Sequence, residues 1–247
     1  MLSLQNISKS YARGKVKAVD SLTLEVRRGE IFGFIGPNGA GKTTAIKTIT
    51  GILLPDEGQV FIDGIDLHRQ PLEAKKRIGY VPDNHDMFDR LTGSEYLNFI
   101  GDVYEVPLAE RRARMEKYLN LFEIADVAGA PIRSYSHGMK QKIMLAGALL
   151  HRPPLWILDE PMVGLDPHSA LALKDEMRAH AAAGCTVFFS THILEVAERL
   201  CHRIGIISGG RLAAVGTLDE LRARGNENDT LEKLFFELTE REETGNA

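Results

Sequence analysis

A short glycine-rich stretch carries the clearest chemical signal in the sequence. Its glycines let backbone N–H groups turn inward around phosphate oxygens, Lys42 supplies a positive charge for the β- and γ-phosphates of a nucleotide, and the Thr43 hydroxyl suits Mg²⁺. The order and spacing match the P-loop pattern at every position. The predicted nucleotide-binding residues are Gly36, Pro37, Asn38, Gly39, Ala40, Gly41, Lys42, Thr43 and the adjacent Thr44.

The residues on either side of this stretch also fit a phosphate site. Ile31–Ile35 is a continuous apolar run typical of a buried strand, and Thr43–Thr50 has the pattern of a helix that Gly51 ends. A helix N-terminus attracts phosphate because its first N–H groups lack intrahelical partners and its dipole is positive there. An incidental glycine-rich turn is the alternative, and the strand and helix around the loop argue against it.

Two carboxylates follow a second buried strand. Leu155–Leu158 is continuously apolar, as central parallel strands are, and Asp159 and Glu160 come directly after it. Ligands of such sheets bind beyond the carboxyl ends of the strands. We therefore expect Asp159 to hold Mg²⁺, directly or through water, and Glu160 to orient or deprotonate an attacking water. A solvated pair at a turn is the alternative, which the upstream phosphate loop disfavours.

The elements that must position these groups alternate between strand and helix, which predicts an α/β fold with a largely parallel sheet. Leu2–Ile7, Leu22–Val26 and Gln59–Ile62 predict an antiparallel β portion, and residues from about 86 to 150 have helical periodicity. Thr92 and Glu95 form a predicted capping box. The remaining helix signals are an apolar face formed by Leu108, Met115, Leu119 and Phe122, a start near Ser136, an N-cap at Asp166, and an amphipathic pattern at Leu231, Leu234, Phe235 and Leu238.

Composition limits the possible partners. The chain has 247 residues, a net charge of −4 and 44% hydrophobic residues, which is ordinary for a globular protein. No basic field is present to attract nucleic acid, so we expect no nucleic-acid partner. No apolar run approaches the roughly 20 residues that span a bilayer, so any membrane association should come through a partner. Cys185 and Cys201 make no disulfide framework, and Met1–Asp20 lacks the layout of a signal peptide.

Three further motifs indicate which family of P-loop proteins the sequence resembles. Tyr135–Met139 precedes the acidic strand, Gly164–Pro167 follows it, and Thr191 and His192 end the next predicted strand. With the phosphate loop, their order and spacing resemble the ABC ATPase family over residues 2 to 220. The resemblance implies a P-loop NTPase (RecA-like) core with an antiparallel β portion and an inserted helical lobe at about 86–150. An ABC ATPase domain would then span 1–220, and 221–247 would be a C-terminal helical extension.

The resemblance also implies roles for single residues. Tyr11 corresponds to the aromatic residue that stacks on adenine, and the less favoured alternative is an ordinary tyrosine at a strand end. Glu160 corresponds to the catalytic base, and His192 to the switch histidine that contacts the γ-phosphate. Asp166 lies in the loop that links the two nucleotide sites of a dimer. Ser136 and Gly138 correspond to signature residues that touch the nucleotide held by the opposite subunit.

Two positions depart from the family pattern. The signature is usually Leu-Ser-Gly-Gly-Gln, whereas this chain keeps only Ser136 and Gly138 and has His137 between them. The family usually has glutamine where this chain has Asp83. An aspartate offers a charged oxygen ligand, so we expect Asp83 to act as a Mg²⁺ ligand with altered coupling to the membrane subunit.

The resemblance implies an ATPase subunit of a membrane transporter that uses ATP and Mg²⁺. Its expected partners are transmembrane permease subunits and a second copy of itself or a homologous ATPase, at the cytoplasmic face of the membrane. Met87, Phe88 and Leu91 are candidates for permease contact, or they pack inside the helical lobe. The altered signature and the ending Leu231–Phe235 look most like ATPases of bacterial drug, lipid or polysaccharide exporters.

Two alternatives stay open from sequence alone. A soluble ABC-type ATPase acting on ribosomes or DNA would share these motifs, although such proteins usually carry two cassettes or long coiled coils. A nucleotide kinase would share the phosphate loop but would leave Ser136, Asp166 and His192 unexplained. The transported substrate, the direction of transport and the choice between homodimer and heterodimer are not encoded in these motifs.

Overall fold

The computed structural model describes residues 1–12, 14, 16–84, 88–223 and 230–244, with side chains up to residue 239. The described part contains two sheets and nine α-helices, and it has the predicted α/β architecture. The helices are α1 (Lys42–Ile49), α2 (Pro71–Lys75), α3 (Gly93–Val103), α4 (Leu108–Leu121), α5 (His137–Leu149), α6 (Pro167–Ala182), α7 (Leu194–Leu200), α8 (Leu218–Arg222) and α9 (Leu231–Thr244).

The larger sheet has the strand order β10-β9-β3-β8-β7-β6. Strands β6, β7, β8, β3 and β9 are parallel, and β10 pairs antiparallel with β9. All residues of β3, β7 and β8 are buried, because helices or the second sheet cover both faces. Its strands are β3 (Ile31–Ile35), β6 (Ile78–Val81), β7 (Leu155–Leu158), β8 (Thr186–Thr191), β9 (Arg203–Ser208) and β10 (Arg211–Gly216).

The smaller sheet is antiparallel, as the sequence predicts, and its strand order is β2-β1-β4-β5. Side chains of β7 alternate between two cores: Leu155 and Ile157 join the smaller sheet and α1, whereas Trp156 and Leu158 join α5 and α6. This alternation explains why the run is apolar at every position. The strands are β1 (Leu2–Tyr11), β2 (Val16–Val26), β4 (Glu57–Ile62) and β5 (Ile65–Asp66).

The helical stretch between β6 and β7 begins with α3 and ends with α5. Thr92 caps α3 through the predicted capping box, in which the Glu95 N–H donates to the Thr92 hydroxyl over 3.1 Å. The predicted apolar face of α4 is partly wrong: Phe122 is fully buried, but Leu108 is 56% exposed. Leu108 is the first residue of α4, and the hydrophobic core of this stretch does not reach it.

The C-terminal helix α9 packs on the rest of the fold. Leu231, Leu234 and Phe235 join a core with Ile35 at the end of β3 and Ala197 of α7. The predicted apolar face of α9 therefore supports the elements that carry the candidate site. Within the described ranges, no helix has the length and apolar character to cross a bilayer.

A histidine and a tyrosine fasten the helical stretch to the parallel sheet. His151, just after α5, stacks on Tyr104, with ring centroids 3.6 Å apart. Its Nε2 lies 3.1 Å from the carbonyl oxygen of Ile78 in β6, and the Tyr104 hydroxyl also donates to that oxygen. Burial lowers the pKa of His151 to about 4 because the charged imidazolium would lose its hydration.

This histidine should make stability depend on pH. Its folded pKa lies below its unfolded value, so protonation favours the unfolded chain as pH falls from about 6.5 towards 4. We predict that His151→Phe removes about 2 kcal/mol of the stability loss between pH 7.5 and pH 5. Urea unfolding at both pH values measures this difference. An identical pH dependence in the two proteins would contradict the assignment.

Candidate active site

A polar cleft of about 250 Å³ opens at the carboxyl ends of the parallel strands. The phosphate loop between β3 and α1 forms one side of it, and the residues after β6 and β7 form the other. Parallel strands end at the same edge of a sheet, which is why segments far apart in sequence meet here. The lining residues are Ala18, Pro37, Asn38, Gly39, Gly41, Lys42, Thr43, Thr44, Asp83 and Glu160.

The phosphate loop needs glycine at two of its positions. A Cβ on Gly36 would lie 2.4 Å from the carbonyl oxygen of Ile207, and one on Gly41 would lie 2.2 Å from that of Ala18. Gly41 also has a left-handed backbone, with φ of 104°, and it is the N-cap of α1. Because it has no side chain to cap the helix, the N–H groups of the first turn stay available for a phosphate.

Lys42 lies across the loop. Its Nζ donates to the carbonyl oxygens of Gly36 and Pro37, over 2.7 and 3.2 Å, and lies 3.5 Å from Glu160 Oε1. The lysine is buried to 93% of its surface, so its charge is held close to the loop that would receive phosphate. A negatively charged ligand in the cleft would be a stronger partner for this ammonium than the two carbonyls.

Asp159 has one satisfied and one unsatisfied oxygen. Its Oδ1 accepts a 2.6 Å hydrogen bond from the Ser190 hydroxyl, and its Oδ2 is buried without a hydrogen-bond partner among the residues that the structure describes. Burial raises the pKa of Asp159 although the hydrogen bond from Ser190 opposes this shift. A divalent cation beside Oδ2 would remove this cost, so the donor set fits Mg²⁺.

Glu160 is held in an unusual backbone conformation, with φ of 49°. Its N–H donates to the Ser190 hydroxyl over 2.9 Å, and its Oε2 lies 3.0 Å from Nδ1 of His192. Left-handed backbone at a non-glycine residue costs energy, and such residues concentrate at functional sites. The carboxylate thus sits between Lys42 on one side and His192 on the other.

Ser190 is the site residue that sequence reasoning missed. It accepts from the backbone N–H of Glu160 and donates to the carboxylate of Asp159, so a single hydroxyl joins the two acidic residues. The only sequence signal was a serine next to Thr191 at the end of an otherwise apolar strand. That signal is weak because hydroxyls at strand ends commonly bond to backbone.

Two predicted residues flank the cleft. Tyr11, at the end of β1, is 41% exposed, and its hydroxyl lies 3.4 Å from the Thr44 hydroxyl. An exposed ring beside the phosphate loop is available for stacking on a base. Asp83, just after β6, is exposed and lines the cleft, close enough for its charge to raise the pKa of Asp159 further.

Three other predicted residues lie together outside the lining of this cleft. Ser136 caps α5, accepting from the N–H of Met139 over 3.2 Å, and Gly138 packs where a Cβ would be 2.6 Å from the carbonyl oxygen of Gly164. Asp166 caps α6 and pairs with Lys142 over 2.8 Å. The hydrogen bond from Lys142 holds the pKa of Asp166 well below its usual range.

Comparison with known protein families identifies the family of this chain. The sequence model of the ABC transporter family matches residues 19–163, which is more than half of the chain. The chain belongs to the ABC transporter ATP-binding proteins. This confirms the predicted resemblance, the P-loop NTPase fold and the ATPase activity, and it does not favour the alternative of a soluble ATPase on ribosomes or DNA.

Individual relatives agree with this family. The linearmycin resistance ATP-binding protein LnrL of Bacillus subtilis is 37% identical, over 91% of this chain and 71% of that protein. The daunorubicin resistance ATP-binding protein DrrA3 of Streptomyces coeruleorubidus is 36% identical, over 90% of this chain and 70% of that protein.

Solved structures give the same result. An ATP-binding subunit of an ABC transporter superposes with a TM-score of 0.91 at 36% identity, covering 96% of this chain and 99% of that one. A dimeric ATP-binding cassette in a post-hydrolysis state, bound to ADP and Pi, superposes with a TM-score of 0.80 at 26% identity, over 88% of this chain and 98% of that one.

The Ser190 bridge yields a direct prediction. Ser190→Ala should lower kcat for ATP hydrolysis about 10- to 100-fold, because a hydrogen bond to a charged group contributes about 1.5–3 kcal/mol. Nucleotide affinity should change much less, since Ser190 lies outside the cleft lining. Steady-state ATPase assays and nucleotide titration measure both quantities.

Thr239→Ala is the matched control. Its buried hydroxyl donates to the carbonyl oxygen of Phe235 in α9, so the variant loses a comparable bond away from the cleft. It should keep the wild-type kcat. A Ser190→Ala enzyme with wild-type kcat would show that the Ser190 bridge does not position Asp159 and Glu160 for hydrolysis.

Proposed function

We propose that this chain powers export through a membrane permease and that it works as a dimer with two composite ATP sites. The observation that carries the dimer is the separation of the phosphate cleft from the cluster of Ser136, Gly138 and Asp166. In the family these residues contact a nucleotide held by the opposite subunit. Because they lie outside the cleft lining, they would not contact the nucleotide held by their own chain.

Within each site, residues of this chain would hold the nucleotide and the cation. The loop N–H groups and Lys42 bind the phosphates, Tyr11 stacks on the base, and Thr43, Asp83 and Asp159 hold Mg²⁺. The described residues contain no cluster of three His, Cys, Asp or Glu side chains that could hold a metal by itself. Mg²⁺ fits such a sparse set because it is usually bound by one or two carboxylates, water and substrate phosphates. When bound, the cation neutralises charge on the phosphates.

Glu160 and His192 carry the proton and charge movements. Glu160 accepts a proton from the attacking water; His192 contacts its carboxylate, and Ser190 holds its backbone N–H. His192 is 51% exposed on its side chain, so it can leave Glu160 and donate to a γ-phosphate. Lys42 stabilises negative charge that develops on the transferred phosphoryl group.

The export direction rests on the named relatives. They include proteins of linearmycin resistance, daunorubicin resistance and Nod factor export. A permease would hold the chain at the cytoplasmic face of the membrane. Phe88 is 36% exposed and contacts the ring of Phe99, itself 45% exposed, so these two offer an apolar contact for the permease. Leu91 packs against the helical core instead, and Met87 lies outside the described residues.

The dimer can be tested by blocking hydrolysis. Glu160→Gln keeps the side-chain shape but cannot accept a proton, so ATP should stay bound and hold the dimer closed. In light scattering with MgATP, the variant should reach twice the 27.4 kDa mass of one chain. The double variant Glu160→Gln with Lys42→Ala, which lacks the phosphate-binding charge, should stay monomeric. A monomeric Glu160→Gln protein in saturating MgATP would contradict the proposal.

The proposed cation role of Asp83 has its own test. Asp83→Ala should raise the Mg²⁺ concentration for half-maximal hydrolysis about three- to tenfold, as expected when one carboxylate ligand is lost. Asp126→Ala, at an exposed aspartate in the helical stretch, is the control. A Mg²⁺ titration of ATPase activity that is the same for Asp83→Ala and wild type would remove Asp83 from the cation site.

A further inference from the structure

The segment that follows the catalytic strand end is fastened to helix α5 at three points. Gln141 Nε2 donates to the carbonyl oxygen of Pro161 over 3.0 Å, next to Glu160 in the chain. Lys142 Nζ lies 2.8 Å from Asp166 Oδ2 at the far end of the segment. Between these points, Gly138 packs against the backbone of Gly164. We call residues 161–166 the connecting segment.

The two helix residues that make the polar contacts, Gln141 and Lys142, are buried. Gln141 is fully buried and Lys142 is 9% exposed, although glutamine and lysine normally lie on protein surfaces. Gln141 Oε1 has no hydrogen-bond partner in the described part of the chain. Its burial therefore has a desolvation cost, which the hydrogen bond from Nε2 to Pro161 offsets only in part. Burying two successive polar side chains lowers stability unless their contacts with the connecting segment compensate the lost hydration.

The connecting segment is directly continuous with Glu160. The Glu160 N–H donates to Ser190, and the carbonyl oxygen of the next residue, Pro161, accepts from Gln141. Only one residue therefore separates Glu160 from a direct contact with α5. Met162 and Leu165 pack against the same core as α5, which makes the segment follow the helix as a unit.

We propose that Gln141 and Lys142 are positioning residues that couple the signature end of α5 to the catalytic carboxylate of the same chain. This inference rests on the proposed two-subunit site. Ser136 begins α5, and Gln141 lies about 7.5 Å further along the helix axis at 1.5 Å per residue. When Ser136 and Gly138 engage the nucleotide of the partner subunit, α5 moves as a rigid body. The connecting segment then sets Glu160, so each site hydrolyses ATP only when the other is filled.

A double-mutant cycle on kcat tests this coupling. Lys142→Met keeps the length of the side chain without its charge, and it should lower kcat about tenfold while the KM for ATP stays within about twofold. Asp166 is 48% exposed on its side chain and keeps its bonds from Ser169, so water can solvate it in the variant. The Tm should therefore fall by less than about 5 °C. Lys142→Arg should restore kcat to within about threefold, because the ion pair is rebuilt.

Ser136→Ala supplies the other side of the cycle. It should lower kcat. The double variant with Lys142→Met should have a kcat less than about twofold below that of Ser136→Ala alone, because α5 no longer responds to the partner's nucleotide. Gln141→Met, which cannot donate to Pro161, should behave like Lys142→Met in the same cycle.

The outcomes separate two failures. Multiplicative effects of Ser136→Ala and Lys142→Met, an unchanged kcat in Lys142→Met, or a loss that Lys142→Arg does not restore would overturn the coupling alone. A wild-type kcat in Ser136→Ala would instead contradict the two-subunit site on which the coupling rests.

Discussion

The structure depends on one geometrical constraint, that parallel strands end at the same edge of their sheet. β3 delivers the phosphate loop to this edge, β7 delivers Asp159 and Glu160, and β8 delivers Ser190 and His192. Since all of these strands are buried on both faces, their register is fixed by the two cores that cover them. The cleft is thus preformed, and binding energy need not be used to assemble it.

Charge is the second constraint on the site. A buried carboxylate with an unsatisfied oxygen, a buried ammonium over backbone carbonyls and a strained glutamate backbone all cost stability in the free chain. An anionic nucleotide with its cation compensates the first two, since it supplies phosphate for Lys42 and a metal for Asp159. The ligand therefore completes the electrostatics of the site, which explains why these groups persist in a sheet that is otherwise apolar.

Sequence reasoning predicts the elements around the site better than the contacts within it. Ile31–Ile35 and Leu155–Leu158 have the predicted bounds because two buried faces leave a continuous apolar run. Leu108 was wrongly placed on an apolar face, since periodicity alone cannot show where a core ends. The contacts within the site join residues 20 or more apart in sequence, as those of Ser190, Gln141 and the Lys142–Asp166 pair do. Sequence periodicity shows which face of an element is apolar, but it does not show which distant residue a polar side chain will bond.

Purification of the tagged chain from its native membranes in mild detergent would show whether this ATPase drives a membrane permease. We expect a multi-spanning membrane protein to be recovered with it in stoichiometric amount. An alanine replacement of both Phe88 and Phe99 should reduce that recovery, because it removes the exposed aromatic pair. Recovery of ribosomal or DNA-associated proteins, with no membrane protein, would contradict a permease partner and would indicate an ABC-type ATPase that acts on ribosomes or DNA.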